Sequence, residues 1–270
     1  MAPHDHSSLA EARQFVRSLR QLEAATAPGS LLPGVLIRLG LGDAYAFLDT
    51  PIGPLFVAYN ERGISAVLHA EDAAMFEAAF RDRFQRSIHA VDTLPAEMAE
   101  ALNEQLSGVP RPDLRFDLRQ LTEFERAVLL KALEIPRGEV RPYHWVAREI
   151  GRPKAVRAVG SALGHNPVPL LIPCHRVVRS DGRIGHYIFG SENKHKLLTV
   201  EGADPDLLER LARSGVRYFG DEAEHTFCFP TCGGMHHRAD AQKLVPFHSD
   251  KEATAAGYRP CQTCRPAIGA

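Results

Sequence analysis

Four of the five cysteines fall in two close pairs near the C-terminus, Cys228-x3-Cys232 and Cys261-x2-Cys264. The fifth, Cys174, stands alone far upstream. Paired soft ligands joined by one long loop suit a tetrahedral structural zinc ion. The segment from Arg217 onward is too short for a large core of its own and needs such a staple to fold. An odd cysteine count with metal-like spacing argues against a disulfide framework and for a reducing compartment. The chain is therefore expected to divide into a C-terminal metal module and a larger unit holding a lone thiol. No apolar run approaches membrane-spanning length, and Met1 to Ser8 has no basic stretch leading into an apolar one. A cytoplasmic location is expected, nucleoid-associated if the source is bacterial, with no membrane partner.

Upstream, Ser8 to Ala24 reads as an amphipathic helix, with Leu9, Phe15, Val16, Leu19 and Leu22 at helical spacing. Ala27-Pro28-Gly29 and Leu32-Pro33-Gly34 then break the chain. From Tyr45 the pattern becomes strand-like. Leu55 to Tyr59 and Ile64 to Leu68 flank Asn60-Glu61-Arg62-Gly63, a hairpin signal. Ala73 to Arg86 reads as a helix on that sheet, and Ser107 to Pro112 as a linker. The next unit is mostly helical. Thr122 with Glu125 forms a capping box opening a helix to Ile135. Tyr143 to Ile150, a stop at Gly151, and Lys154 to Leu163 give helix, turn, helix. Glu192 to Glu201 is a further helix, and Leu207 to Ser214 a short connector.

Cys174 sits in the run Ile172-Pro173-Cys174-His175-Arg176-Val177-Val178. A nucleophilic cysteine acts as its thiolate and needs a base or a positive field. His175 is adjacent in sequence, and a lone cysteine in an apolar segment is otherwise an inert core residue. Formal net charge is −1, yet Pro110 to Gly202 carries 16 lysines and arginines against 10 acidic residues. A locally basic middle is a modest nucleic-acid signal.

Residues Thr122 to Gly202 resemble the O6-alkylguanine-DNA alkyltransferase family. The resemblance rests on the run around Cys174, on Lys154 to Gly160, on Asn166-Pro167, on Gly185 and Tyr187, and on Glu201. Tyr45 to Ala90 looks like the family's small N-terminal RNase H-like α/β domain. The resemblance implies that Cys174 takes the alkyl group from O6 of guanine, with O4-alkylthymine as a further substrate class. Cys174 would be alkylated permanently, one turnover per molecule. His175 would accept the thiol proton through a water, and Glu201 would orient His175. Tyr143 would protonate or polarise the leaving guanine, and Asn166 would tie the turn beside the second helix. The target atom lies inside the duplex, so the nucleotide must be flipped out. Arg157 matches the family's arginine finger. Ala155, Ala158, Gly160 and Ser161 keep its helix slim enough for a minor groove. Arg152 and Lys154 are expected phosphate contacts. The implied substrate pocket comprises Leu163, Val177, Gly185, Tyr187 and Ile188. The partner implied is double-stranded DNA carrying alkylated guanine, met by a monomer.

The C-terminal segment resembles the zinc module of the Ada protein through Tyr218-Phe219, Cys228 to Cys232 and Ala255 to Pro266. In that module the first zinc-bound cysteine, here Cys228, takes methyl groups from DNA phosphotriesters. Two departures stand out: the residues after Cys232 are not basic, and the module follows the alkyltransferase instead of preceding it. The expectation is a zinc ion that is structural, with no cofactor for the transfer itself. The expected organisation is a helical extension over 1–44, a small α/β domain over 45–108, a helical catalytic and DNA-binding domain over 110–205, and a small α+β zinc module over 215–270. The rival readings are a non-catalytic lesion-binding protein and a methylation-response regulator sensing phosphotriesters through Cys228.

Overall fold

The computed structural model describes residues 31–39, 41–236 and 244–266. The helix expected over Ser8 to Ala24 lies outside these residues. Helix α1, Leu31–Arg38, runs through Leu32-Pro33-Gly34, where a break is expected. Proline is tolerated in a first helical turn because that N–H has no intrahelical acceptor, so Pro33, the third residue, does not stop the helix.

Four strands follow: β1 (Gly42–Leu48), β2 (Leu55–Asn60), β3 (Gly63–Leu68) and β4 (Ser87–Ala90). β1 begins at Gly42, ahead of the expected start at Tyr45. The sheet order is β3-β2-β1-β4, with β4 parallel to β1 and the other pairs antiparallel. Strand alternation gives this sheet two apolar faces. Tyr45, Phe56, Ala58 and Ala66 bury against helix α2, Ala73–Phe84. That helix offers Phe76, Phe80 and Phe84 at intervals of four, one helical stripe. Ala46, Leu48, Leu55 and Val57 face the other way, into the main core. Helix α3, Ala96–Ser107, closes this unit and lies outside the expected elements; Gly108 ends it in a left-handed conformation.

The helical unit holds α4 (Glu123–Leu133), α5 (Tyr143–Glu149), α6 (Val156–Gly164), α7 (Ser191–Val200) and α8 (Pro205–Arg213). Thr122 caps α4 with the expected box, its hydroxyl accepting from Glu125 N at 3.2 Å. α6 starts at Val156, two residues after the expected Lys154, because Arg152 to Ala155 form a turn closed by Ala155 N to Arg152 O. Two short parallel strands, β5 (Arg141–Pro142) and β6 (Val177–Val178), cross-link the unit.

The C-terminal module is a four-stranded sheet ordered β10-β8-β7-β9. Its strands are β7 (Tyr218–Asp221), β8 (Thr226–Cys228), β9 (Leu244–Phe247) and β10 (Arg259–Pro260). Helices α9 (Gly233–His236) and α10 (Asp250–Ala255) complete it. One apolar core runs unbroken from the first sheet through Trp145 and Ile172 to Phe229 and Cys264. Burial on this scale is the main favourable term in folding, so the three units stabilise one another. No helix among the described residues is long and apolar enough to cross a membrane.

Candidate active site

α6 ends at Gly164, and the chain then makes an apolar loop whose two ends are tied by one side chain. Asn166 is fully buried. Its Oδ1 accepts from Val168 N at 3.0 Å. Its Nδ2 donates to Ile172 O at 2.9 Å and to Cys174 Sγ at 3.3 Å. The loop is tight enough to hold Leu170 at φ 76°, a left-handed conformation unfavourable for a branched residue. Cys174 opens a 3-10 turn, Cys174–Arg176, which leads directly into β6. β6 pairs with β5 through Arg141↔Val177 and Pro142↔Val178, and the residue after Pro142 is Tyr143. This short ladder is what sets the thiol close to the first residue of α5.

Burial pushes the Cys174 thiol up, while the Asn166 hydrogen bond and the Lys194 ammonium pull it back down. His175 is fully buried, and burial lowers its basicity, opposed by Glu201. Its Nε2 lies 3.0 Å from Glu201 Oε1. Glu201 also accepts from Arg176, Nε to Oε2 and Nη2 to Oε1, both at 2.8 Å. Burial works against ionising Glu201, but His175 and Arg176 prevail and hold it at about 2. Arg176 Nη1 further donates to Ile135 O at 2.7 Å. Gly138, at φ 77°, packs so close that a Cβ there would sit 2.8 Å from Glu201 O. No other residue type fits at that position without moving the carboxylate's backbone.

Lys194 lies outside every sequence motif of the site. It is fully buried, and Nζ donates to Val177 O and Ile184 O at 2.7 Å each. Burial brings its pKa down to about 8, opposed by attraction to Cys174. It therefore stays charged at neutral pH and puts a positive field beside the thiol. Tyr143 is raised by burial and by the nearby Cys174. Tyr187 stands edge-on to the His175 ring, centroids 5.8 Å apart. Cys174, His175, Glu201, Asn166, Tyr143 and Tyr187 thus share one neighbourhood.

The remaining sequence-predicted residues divide by exposure. Val159, Ala162 and Leu163 form the buried face of α6, whereas Arg157, Ala158 and Ser161 lie exposed on the opposite face. Arg152 and Lys154 are exposed in the preceding turn, and Ala155 is half-buried. Gly160 faces Tyr143, whose Cε1 lies 4.0 Å from where a Cβ would be. Val177 is buried in β6, Gly185 turns with φ 74°, and Ile188 is 42% exposed at the loop tip.

The four remaining thiols form a second centre. β10 pairs parallel with β8, Pro260 opposite Phe227, and this register sets Cys261 beside Cys228. The four sulfurs all lie within 4.8 Å of one another. A tetrahedral zinc ion about 2.3 Å from each sulfur requires them to be roughly 3.8 Å apart, which this cluster accommodates. Cys228, Cys232 and Cys264 are buried and Cys261 is half-buried, so the centre is closed in the manner of a structural site.

Residues 123–203 match the family model for the 6-O-methylguanine DNA methyltransferase DNA binding domain. Residues 211–267 match the metal binding domain of Ada. The chain is 36% identical over 168 residues to the bifunctional transcriptional activator/DNA repair enzyme Ada of Escherichia coli, covering 60% of this chain and 46% of that protein. It thus spans about half of Ada's length. It is 34% identical to the methylated-DNA–protein-cysteine methyltransferase of Methanosarcina acetivorans, covering 59% of this chain and 98% of that one. Among solved structures, Mycobacterium tuberculosis OGT in complex with DNA superposes with a TM-score of 0.50 at 33% identity, covering 61% of this chain and 98% of that one. The four-cysteine module is a structural zinc site, and the chain belongs to the methylated-DNA–protein-cysteine methyltransferase family.

Proposed function

We propose that this protein repairs O6-alkylguanine in double-stranded DNA by moving the alkyl group irreversibly onto Cys174. The observation that carries the assignment is the buried Asn166, Cys174 and His175 with the half-buried Glu201, set beside the helix pair that bears Arg157. The Cys174 sulfur attacks the alkyl carbon, so an S–C bond forms as the C–O6 bond breaks. The thiol proton passes through a water to His175 Nδ1, and the departing guanine takes a proton at the ring from the Tyr143 hydroxyl, which regains one from solvent. Net, the thiol becomes a thioether and the base becomes guanine. Glu201 holds His175 in register, and Lys194 favours the thiolate. Tyr143 stabilises charge on the leaving base. Asn166 fixes the loop that presents the sulfur.

The nucleotide reaches Cys174 only after extrusion from the duplex. Arg157 occupies the gap left behind. Ala155, Ala158, Gly160 and Ser161 let α6 lie close in the minor groove, and Arg152 and Lys154 meet phosphates. Leu163, Val177, Gly185, Tyr187 and Ile188 line the alkyl pocket. The division of labour follows: residues 45–108 form an RNase H-like support, 110–205 carry out binding and transfer, and 215–270 hold the zinc. The protein acts as a monomer in the cytoplasm, associated with the nucleoid if the source is bacterial.

The test is intact mass and peptide mapping after incubation with a duplex carrying a single O6-methylguanine. One methyl increment per chain, on the Cys174 peptide, is the expected result. Unmodified protein that still shifts the lesion duplex in a gel overturns the transferase reading and leaves lesion binding.

A further inference from the structure

The zinc module does not hang from the catalytic unit by a linker alone. Zinc ligands and residues within two positions of one make a series of polar contacts across the junction. Thr231 Oγ1 accepts from Val140 N at 2.9 Å, and Gly233 N donates to Glu139 Oε1 at 2.9 Å. Cys232 is the residue between them. Cys264, a ligand, accepts at its own carbonyl from Trp145 Nε1 at 2.9 Å. Arg148 donates to Arg265 O and, at 3.1 Å, to Pro266 O. Arg265 closes the set with a 2.8 Å ion pair to Glu149.

On the catalytic side, these contacts all fall on the approach to α5 or on α5 itself. Trp145 is 3% exposed, so its indole N–H has no solvent to fall back on. Arg141, fully buried, pairs with Glu139, and its guanidinium stands 5.5 Å from the Phe229 ring and 5.7 Å from the Trp145 ring. α5 in turn sets Tyr143 against Gly160 of α6. The backbone of a cysteine knuckle is ordered by the metal it binds. The same backbone supplies the carbonyls and the N–H that hold α5.

We infer that zinc occupancy at Cys228, Cys232, Cys261 and Cys264 sets the placement of the duplex-binding helix pair, with Trp145 and Arg148 as the positioning residues that transmit it. The module is then a brace for DNA binding, and losing the metal weakens duplex affinity before it unfolds the catalytic unit. This inference rests on the reading that α5 and α6 engage duplex DNA.

Trp145 is the only tryptophan, so the chain carries its own reporter. The experiment uses the full chain in three forms: zinc-loaded, Cys264→Ser, and zinc-loaded Trp145→Phe, which keeps a ring but removes the N–H. Zinc content, affinity for an undamaged duplex by anisotropy, and amide exchange along α5 and α7 are measured on each. Trp145 emission is followed in the first two. For Trp145→Phe we expect retained zinc, faster exchange in α5 but not α7, and duplex affinity lowered about threefold to tenfold, the worth of one buried hydrogen bond. For Cys264→Ser we expect red-shifted Trp145 emission and a larger loss of affinity. Unchanged affinity and unchanged α5 exchange in Trp145→Phe overturn the brace, whether or not Cys264→Ser folds. Uniformly faster exchange across α5 and α7 overturns it too, since that is general destabilisation. A zinc-loaded parent that binds no duplex refutes the DNA-repair reading instead, and α5 exchange still decides the brace.

Discussion

His175 Nε2 lies 3.0 Å from Glu201 Oε1, and this one contact fixes which imidazole nitrogen is left to do chemistry. Arg176 keeps the carboxylate ionised, so Glu201 can only accept, and Nε2 must carry the hydrogen. The lone pair then sits on Nδ1, a buried atom with no hydrogen-bond partner among the described residues. Glu201→Gln can donate to Nε2 and so stabilise the opposite tautomer, with the proton on Nδ1. Transfer from an O6-methylguanine duplex should slow about 10- to 100-fold, the usual effect of losing an orienting partner. The check is the second-order transfer rate under single-turnover conditions. A rate equal to the parent's would remove Glu201 from the mechanism.

The same pair makes the fold acid-sensitive. Glu201 falls from 4.5 to about 2 on folding, so its contribution is present above its unfolded pKa and is lost as pH drops toward 2. At 1.36 kcal/mol per unit, that contribution is about 3 kcal/mol. His175 acts in the same direction. Burial lowers its folded pKa, so only the unfolded chain takes up a proton as pH passes below the ordinary histidine value. Urea midpoints measured against pH should therefore decline below about pH 6.5 and more steeply below about pH 4.5. In Glu201→Gln the lower limb should become shallower, with Glu125 and Asp181 still contributing to it.

Lys194 leads to a third expectation. Lys194→Met leaves the Val177 and Ile184 carbonyls without the Nζ donor and removes a positive charge that favours the thiolate. The first effect should cost about 1 to 3 kcal/mol of stability, read from denaturant midpoints. The second should move the pH profile of Cys174 alkylation by iodoacetamide, scored on its peptide, to higher pH. A profile that stays in place while stability falls would reduce Lys194 to packing alone.

Signals confined to a few residues were readable in the sequence. The Thr122–Glu125 box, the hairpin around Asn60 to Gly63 and the two cysteine pairs are all local, and each sits where its spacing requires. What escaped depends on distant partners. Lys194 shares the buried face of α7 with Leu197 and Leu198, three and four residues on, which was the available hint. Its acceptors lie 17 and 10 residues upstream, and no periodicity reports them. Trp145 and Cys264 are 119 residues apart, so their bond was invisible until the fold joined them. α3 was missed because its first turn has no side-chain cap, only Pro95. Pro33-Gly34 reads as a break because the pair is a turn signal nearly everywhere except in a first helical turn, where α1 puts it.

The two thiol centres should differ sharply toward DNA alkyl groups. Cys228, the position that takes methyl from phosphotriesters in Ada-type modules, is 4% exposed, and Cys232 and Cys264 are fully buried. The most accessible ligand of this centre is the half-buried Cys261, beside the exposed Gln262 and Thr263. A phosphotriester methyl carbon must approach its nucleophile in line with the breaking C–O bond, and a backbone phosphate cannot enter a closed site to do so. Cys174 escapes this limit because an extruded nucleotide is inserted toward it. Incubation with a duplex carrying both O6-methylguanine and methyl phosphotriesters should therefore place methyl on the Cys174 peptide and leave the Cys228 peptide unmodified, with zinc retained. Methyl on Cys228 at a rate comparable with Cys174 would mean that the zinc module opens on DNA, and would turn a structural centre into a second repair site.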